Sequence, residues 1–343
     1  MDTVRLIEPI GLVHGPAADA AVKAGVALPL AGGRTAFTLV RLIEGDRLAD
    51  TMPIDRIPGG WQPELERIAM RPSDAGLPSG PVVMGILNVT PDSFSDGGRY
   101  VDTAVAVAHA EQLIHDGARI LDIGAESTRP GSAPVSVEEE WARLEPLLRE
   151  MAARGACISV DTRNARTMEA ALDAGASLIN DVTALAHDLD ALPLLASRSC
   201  PVALMHMRGT PETMGSLTNY RDVAIDVVRE LGDRITAAEK AGISRDRMIL
   251  DPGIGFAKTT EQNAELIRRL PLFANLGCRV LLGTSRKRMI GALARVSEAV
   301  SRDPGTIASS LPGLALGDTI LRVHDCAGMT QAMRVWEGIF SPA

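Results

Sequence analysis

Eight short apolar runs in this sequence each end on residues with useful chemistry. The first, residues 82–89, reaches Asn88 and leads into Thr90-Pro-Asp-Ser-Phe-Ser-Asp-Gly-Gly98. The second ends at Asp122, ahead of Glu126-Ser-Thr-Arg-Pro-Gly131. The others end at Asp161, at Asn180 and Asp181, at His206, at Asp251, at Ser285-Arg-Lys287, and at Arg322 and His324. These residues sort by charge into two sets. Asp161, Asn180 and Asp251 supply carboxylates and an amide that can read the donor edge of a flat, nitrogen-rich ring. Lys287, Arg322 and His324, with Asn88, supply cations and donors that can hold an anion, and arginine is the natural two-pronged clamp for a phosphate. A site with both sets suits a neutral heterocycle carrying a phosphate or diphosphate. The stretch Ser127-Thr-Arg129 adds a cation for a second, anionic substrate.

The elements that must position these residues follow from the apolar pattern. Near-continuous apolar runs are the mark of strands buried on both faces of a parallel sheet. Between them lie segments of helical period. Ser136-Val-Glu-Glu139 is a capping box opening one helix, which Gly155 ends. Residues 190–198 form a shorter helix, and residues 223–241 a long one stopped by Gly242. Eight strand–helix units predict a (β/α)8 TIM barrel over residues 81–343, close to the roughly 250 residues typical of that fold. In such a barrel the active site lies at the C-terminal strand ends, where the polar residues collect. An open doubly wound sheet is the alternative, but no strand is followed by GxGxxG or GxxxxGK[ST]. Pro312-Gly313 should kink or shorten the helix before the last strand.

Composition narrows the function further. The 343 residues are 46% hydrophobic and 23% charged, so the chain can bury a large core and is not disordered. The net charge of −8 argues against a partner such as nucleic acid or an anionic membrane. Cys157, Cys200, Cys278 and Cys326 form no CxxC pair and read as reduced residues of a cytoplasmic protein. Asp2, Arg5 and Glu8 precede no apolar run, so no signal peptide is expected, nor is a transmembrane helix. Residues 1–80 carry no chemical motif. Residues 37–50 predict a hairpin turning at Gly45, residues 71–81 have the composition of a linker, and the segment reads as an accessory layer.

The motifs, in order, resemble one family. Val83-Met-Gly-Ile-Leu-Asn-Val-Thr-Pro-Asp-Ser-Phe-Ser-Asp-Gly-Gly98 and Asp122-Ile-Gly-Ala-Glu-Ser-Thr-Arg-Pro-Gly131 resemble the two long signatures of the dihydropteroate synthases. Ile158-Ser-Val-Asp-Thr162, Ile179-Asn-Asp181, Leu204-Met-His-Met207, Asp251-Pro-Gly253, Ser285-Arg-Lys287 and Arg322-Val-His-Asp325 follow in the family's order, so the resemblance covers the whole expected barrel. It implies condensation of 6-hydroxymethyl-7,8-dihydropterin diphosphate with 4-aminobenzoate to give 7,8-dihydropteroate and diphosphate. The implied course is SN1-like, with Mg²⁺ as cofactor and a homodimer as the assembly. By position, Asp161, Asn180, Asp251 and Lys287 match the family's pterin contacts, with Asp161 placed to stabilise the cation. Arg322 covers the pterin and, with His324 and Asn88, holds diphosphate; Asn88 is also the expected Mg²⁺ contact. Residues 90–98 and 127–131 match loops that close over the complex. Phe94, Thr128, Arg129, Pro130 and Phe256 are the matching aminobenzoate candidates.

Other polar residues have structural readings. Asp181 can cap the next helix, His206 can be core, His109 and His115 are expected in solvent, and residues 138–140 suit a helix first turn. Arg288 stands where many family members have a serine facing the aminobenzoate carboxylate. The alternatives are a pterin-binding methyltransferase, which needs no diphosphate clamp, and a non-catalytic pterin-binding paralogue, which should have lost clamp residues.

Overall fold

A computed structural model describes residues 4–89, 99–126 and 135–341. The expected runs are its barrel strands: β6 (Val82–Asn88), β7 (Ala118–Gly124), β8 (Ile158–Asp161), β9 (Leu178–Asp181), β10 (Val202–Met205), β11 (Met248–Asp251), β12 (Arg279–Leu282) and β13 (Ile320–Val323). They pair in parallel, and β13 closes the ring onto β6. Helices α3 (Arg99–His115), α4 (Val137–Ala153), α5 (Ala165–Asp173), α6 (Ala191–Ala196), α7 (Val223–Ala241), α8 (Thr260–Arg268), α9 (Arg288–Ala294), α10 (Asp303–Ser310) and α11 (Cys326–Phe340) lie along the chain between and after them. The fold is a (β/α)8 TIM barrel preceded by an N-terminal sheet.

Local chemistry fixes several helix ends. Ser136 caps α4 by accepting from the Glu139 amide at 3.2 Å, and Asp222 caps α7 through the Ala224 and Ile225 amides. Gly242 ends α7 in a left-handed conformation at φ +102°. Pro312 does shorten its helix: α10 stops at Ser310, and residues 311–316 continue as a tighter 3₁₀ segment.

The two-residue period of a strand explains how the barrel carries both a core and a site. Side chains two apart face the same way. Ile120, Leu178, Ile249 and Ile320 belong to the apolar plug inside the barrel, with Met84, Ala203 and Leu281. Two residues further along the same strands stand Asp122, Asn180, Asp251 and Arg322. The polar cluster therefore rests on an apolar floor. Register adds a row across four strands, since Asn88 pairs with Gly124, Gly124 with Asp161, and Asp161 with Asn180.

The opposite end is closed by the segment whose composition suggested a linker. Leu77 is buried and joins the barrel plug. Arg279, fully buried at the start of β12, donates to the carbonyls of Asp318, Asp74, Pro78 and Gly80. Arg71 forms a two-pronged ion pair with Asp318 at 2.8 and 2.9 Å.

The N-terminal layer comprises β1 (Arg5–His14), α1 (Gly15–Lys23), β2 (Leu28–Pro29), β3 (Thr35–Glu44), β4 (Arg47–Leu48), β5 (Met52–Pro53) and α2 (Gln62–Ala69). Strands β1 and β3 form an antiparallel ribbon, and β3 turns back into β4 through Gly45 (φ +56°) and Asp46, the expected hairpin. Ile7, Phe37, Val40 and Ile43 share one apolar core with Leu270 and Phe273 of the barrel domain. Asn275 accepts from the Ile7 amide at 2.8 Å and donates to its carbonyl at 2.7 Å. Glu8 pairs with Arg269, which also holds Asp222.

Candidate active site

The residues at the C-terminal strand ends meet in the barrel mouth. Arg322 Nε donates to Asp122 Oδ2 at 2.5 Å, and Nη2 donates to Asp161 Oδ2 at 2.9 Å. Asn180 Nδ2 approaches both Asp122 oxygens at 3.3 and 3.4 Å. One guanidinium thus bridges carboxylates from two neighbouring strands. Burial, and then the Asp122 charge, raise Asp161 from its ordinary 3.8 to about 7, while Arg322 pulls it back. Arg322 itself is held above its ordinary value: burial opposes the charge, but Asp122 and Asp161 outweigh it.

Asp251 lies beside this group. Burial raises its carboxyl, and the Gly253 amide donates to Oδ1 at 2.7 Å. A Cβ placed on Gly283 would sit 3.8 Å from Asp251 Oδ2 and 3.9 Å from Arg322 Cβ, so this glycine lies between the two. Lys287 leads into α9 with its Nζ 4.2 Å from the centre of the Phe256 ring, a cation–π contact. Phe256 is buried with Val182, Met205, Met214 and Ala257. His324 Nδ1 is 2.8 Å from Ser285 Oγ, which also accepts from the His324 amide. Asn88 is exposed at the end of β6, beside Gly124.

Asp161, Asn180, Asp251, Lys287, Arg322, Asn88, His324 and Phe256 all occupy this one end of the barrel. Phe94, Thr128, Arg129 and Pro130, with both expected loops, lie outside the described residues. Arg288 is exposed, and so are His109 and His115. Asp181 is structural: its two carboxylate oxygens accept from Thr183 and from the Leu185 amide. Glu140 is more than a first-turn charge, for it is buried and accepts from Asn164 and Thr167.

Sequence reasoning did not single out two features. Asp122 ends its run as visibly as Asp161 does, but its bond to Arg322 joins residues 200 apart in sequence. The second feature is a polar cluster behind Asp251. Lys258 is buried with its Nζ 2.9 Å from His206 Nδ1, and His206 Nε2 is 2.9 Å from Glu230 Oε2. Glu230 also binds Arg208, whose guanidinium stacks 3.8 Å over the Tyr220 ring. Burial pushes His206 down to about 4 and Lys258 down to about 7. For Glu230, burial acts upward, but its bonds to His206 and Arg208 bring it to about 2.

A family profile described as Pterin binding enzyme matches residues 84–324, from the first barrel strand to His324. A dihydropteroate synthase of Neisseria meningitidis serogroup C is 48% identical over 263 residues, covering 76% of this chain and 93% of the relative. The chain belongs to the dihydropteroate synthases. It is a transferase of folate biosynthesis. Among solved structures, Xanthomonas albilineans dihydropteroate synthase with 4-aminobenzoic acid superposes with a TM-score of 0.72 at 45% identity, covering 77% of this chain and 94% of that one. The same enzyme in complex with 7,8-dihydropteroate gives a TM-score of 0.69 at 43% identity, with 77% and 95% covered. The family match begins at residue 84, so the N-terminal layer lies before it.

Proposed function

We propose that this chain joins 6-hydroxymethyl-7,8-dihydropterin diphosphate to 4-aminobenzoate, and that Arg322 between Asp122 and Asp161 is the centre of the reaction. That bridge carries the reading: a cation in reach of a leaving anion stands against a part-buried carboxylate in reach of a developing cation. In the reaction the carbon–oxygen bond to diphosphate breaks, and the electron pair leaves with the diphosphate. The amine then forms the new carbon–nitrogen bond and gives up a proton. Asp161 faces the positive pterin, whose charge favours the ionised carboxylate even though burial alone opposes it. Asp122, Asn180 and Asp251 hold the ring's donor edge, and Lys287 reaches the ring from above Phe256. Arg322, His324 and Asn88 receive the diphosphate. Phe256, with Phe94, Thr128, Arg129 and Pro130, serves the aminobenzoate.

The donors present fit Mg²⁺. Among the described residues no three His, Cys, Asp or Glu side chains gather into a metal cage. Mg²⁺ does not need one, because it keeps several waters and is commonly held by one or two protein oxygens plus substrate phosphates. Asn88 offers such an oxygen at the exposed mouth. When bound there, the ion would offset charge on the departing diphosphate.

No helix among the described residues is long and apolar enough to cross a membrane. The partners on this reading are two small molecules and a second copy of the chain, in the cytoplasm. Incubating the purified protein with Mg²⁺, the pterin diphosphate and 4-aminobenzoate should yield dihydropteroate and diphosphate in equal amounts. Binding of both substrates with no product would identify a non-catalytic pterin-binding protein instead.

A further inference from the structure

The loop after β11 runs Asp251-Pro-Gly-Ile-Gly-Phe-Ala-Lys258 and carries two residues of the proposed substrate site, Asp251 and Phe256. Its backbone is tightly constrained. Gly253 (φ +68°), Gly255 (φ +85°) and Ala257 (φ +49°) are all left-handed, and a Cβ on Gly253 would fall 1.9 Å from the His206 carbonyl oxygen. Such a conformation persists only where its surroundings hold it. Asn263 holds the Gly255 amide at 2.7 Å, and the other holding group is Lys258, whose side chain folds back under its own loop. Nζ donates to the carbonyls of Gly253 at 3.0 Å and Phe256 at 2.9 Å, and lies 2.9 Å from His206 Nδ1. These three short contacts match the three protons the group carries as an ammonium, below about pH 7, and the His206 carbonyl lies further off at 3.5 Å.

The histidine is set to complete this arrangement. Burial keeps it neutral near pH 7, so the ring has one N–H and one lone pair. Nε2 faces the Glu230 carboxylate, an acceptor, and therefore carries the proton. Nδ1 then presents its lone pair to Lys258. Glu230 is fixed in turn by Arg208, which also donates to the Asn219 carbonyl. A chain of contacts thus runs from α7 to the loop that shapes the pterin pocket.

We infer that Lys258 is a positioning residue for the ring-binding half of the site, acting through the Gly253 and Phe256 carbonyls and oriented by His206 and Glu230. The Gly253 amide holds Asp251 Oδ1, and the Phe256 ring supports Lys287. Loosening the Gly253 and Phe256 carbonyls therefore disturbs Asp251 and Lys287. The residues proposed for diphosphate, Asn88, Arg322 and His324, stand on or just beyond β6 and β13, on other strands than the β11 that carries this loop. The inference rests on the pterin reading above.

The test separates the two halves of the site in the full-length protein. Lys258→Met keeps the chain length and removes all three donors. Binding of 6-hydroxymethylpterin, which lacks the diphosphate, should weaken about tenfold or more, the loss expected for about one to two hydrogen bonds. The KM for 4-aminobenzoate should rise with it, while binding of inorganic diphosphate stays unchanged. Glu230→Ala, at the half-exposed end of the chain of contacts, should give the same split to a smaller degree, and it decides the matter if Lys258→Met does not fold. Unaltered pterin binding in the variant that folds would overturn the inference. Equal losses of pterin and diphosphate binding, following a fall in Tm, would also overturn it by showing a general loss of structure. Wild-type protein that binds neither probe would instead overturn the pterin reading itself.

Discussion

Arg322 sits between two carboxylates, and their mutual repulsion in a buried mouth explains much of the site's chemistry. Removing the arginine leaves uncompensated charge in a desolvated place, a change that costs about 3–5 kcal/mol. The pH dependence has a definite sign. Asp161 is already raised above its ordinary 3.8 and would rise further without Arg322. A carboxyl raised in the folded state contributes stability that is complete below its unfolded value and is lost as pH rises through the folded one. Relative to the wild type, Arg322→Ala should therefore lose stability increasingly as pH rises through about 7, where wild-type Asp161 ionises in the folded state and the variant's does not. The same variant should bind inorganic diphosphate weakly. A pH-independent deficit would contradict the coupling to Asp161, and undiminished diphosphate binding would remove Arg322 from the clamp. The proposed ring readers and anion holders were legible as residue types in the sequence, because each closes an apolar run. The Asp122–Arg322 bond was not, since nothing local links residues 200 positions apart. Lys258 was equally hidden, because only the fold brings its Nζ to the His206 ring and the loop carbonyls.

At the scale of elements, the barrel strands carry the argument. Near-continuous apolar runs identify strands buried on both faces, which is why their positions were visible in advance. Their two-residue period then places Asp122, Asn180, Asp251 and Arg322 above the apolar floor. Gly283 occupies the corresponding place just past the end of β12, two residues beyond Leu281, and leaves open the space beside Asp251. Gly283→Ala should fold with wild-type stability, because the nearest atoms to the new methyl are at ordinary contact distance. It should nevertheless weaken pterin binding by about tenfold, roughly the worth of one misplaced hydrogen-bonding group. Calorimetric titration with 6-hydroxymethylpterin, alongside a thermal melt, distinguishes a filled pocket from a damaged fold. The segment 71–81 illustrates what pattern alone misses. Its glycines and prolines are those of a linker, yet Leu77 and the carbonyls held by Arg279 close the base of the barrel.

For the whole molecule, the N-terminal layer shares the barrel domain's apolar core. The contacts are specific, above all Asn275 bonded to both backbone groups of Ile7 and Arg269 held between Glu8 and Asp222. Truncating Asn275 to alanine strands buried backbone groups at about 1–3 kcal/mol each. Asn275→Ala should lower Tm by several degrees and leave turnover at 25 °C unchanged, since it precedes the start of β12, at the barrel end opposite the proposed site. Lost turnover at a temperature where the variant is folded would show that the layer acts on the site. The hairpin in this layer was visible from its turn at Gly45, whereas its docking depends on surfaces that no local pattern records.

Asp161 is the residue proposed to face the developing pterin cation. Dihydropteroate formation by wild-type protein and by Asp161→Asn, at equal protein concentration with saturating substrates and Mg²⁺, tests it most directly. The wild type should turn over, and the variant should lose on the order of a hundredfold or more in kcat, the scale of removing one electrostatic stabiliser, while still binding inorganic diphosphate. Equal turnover by the two proteins would contradict the assignment.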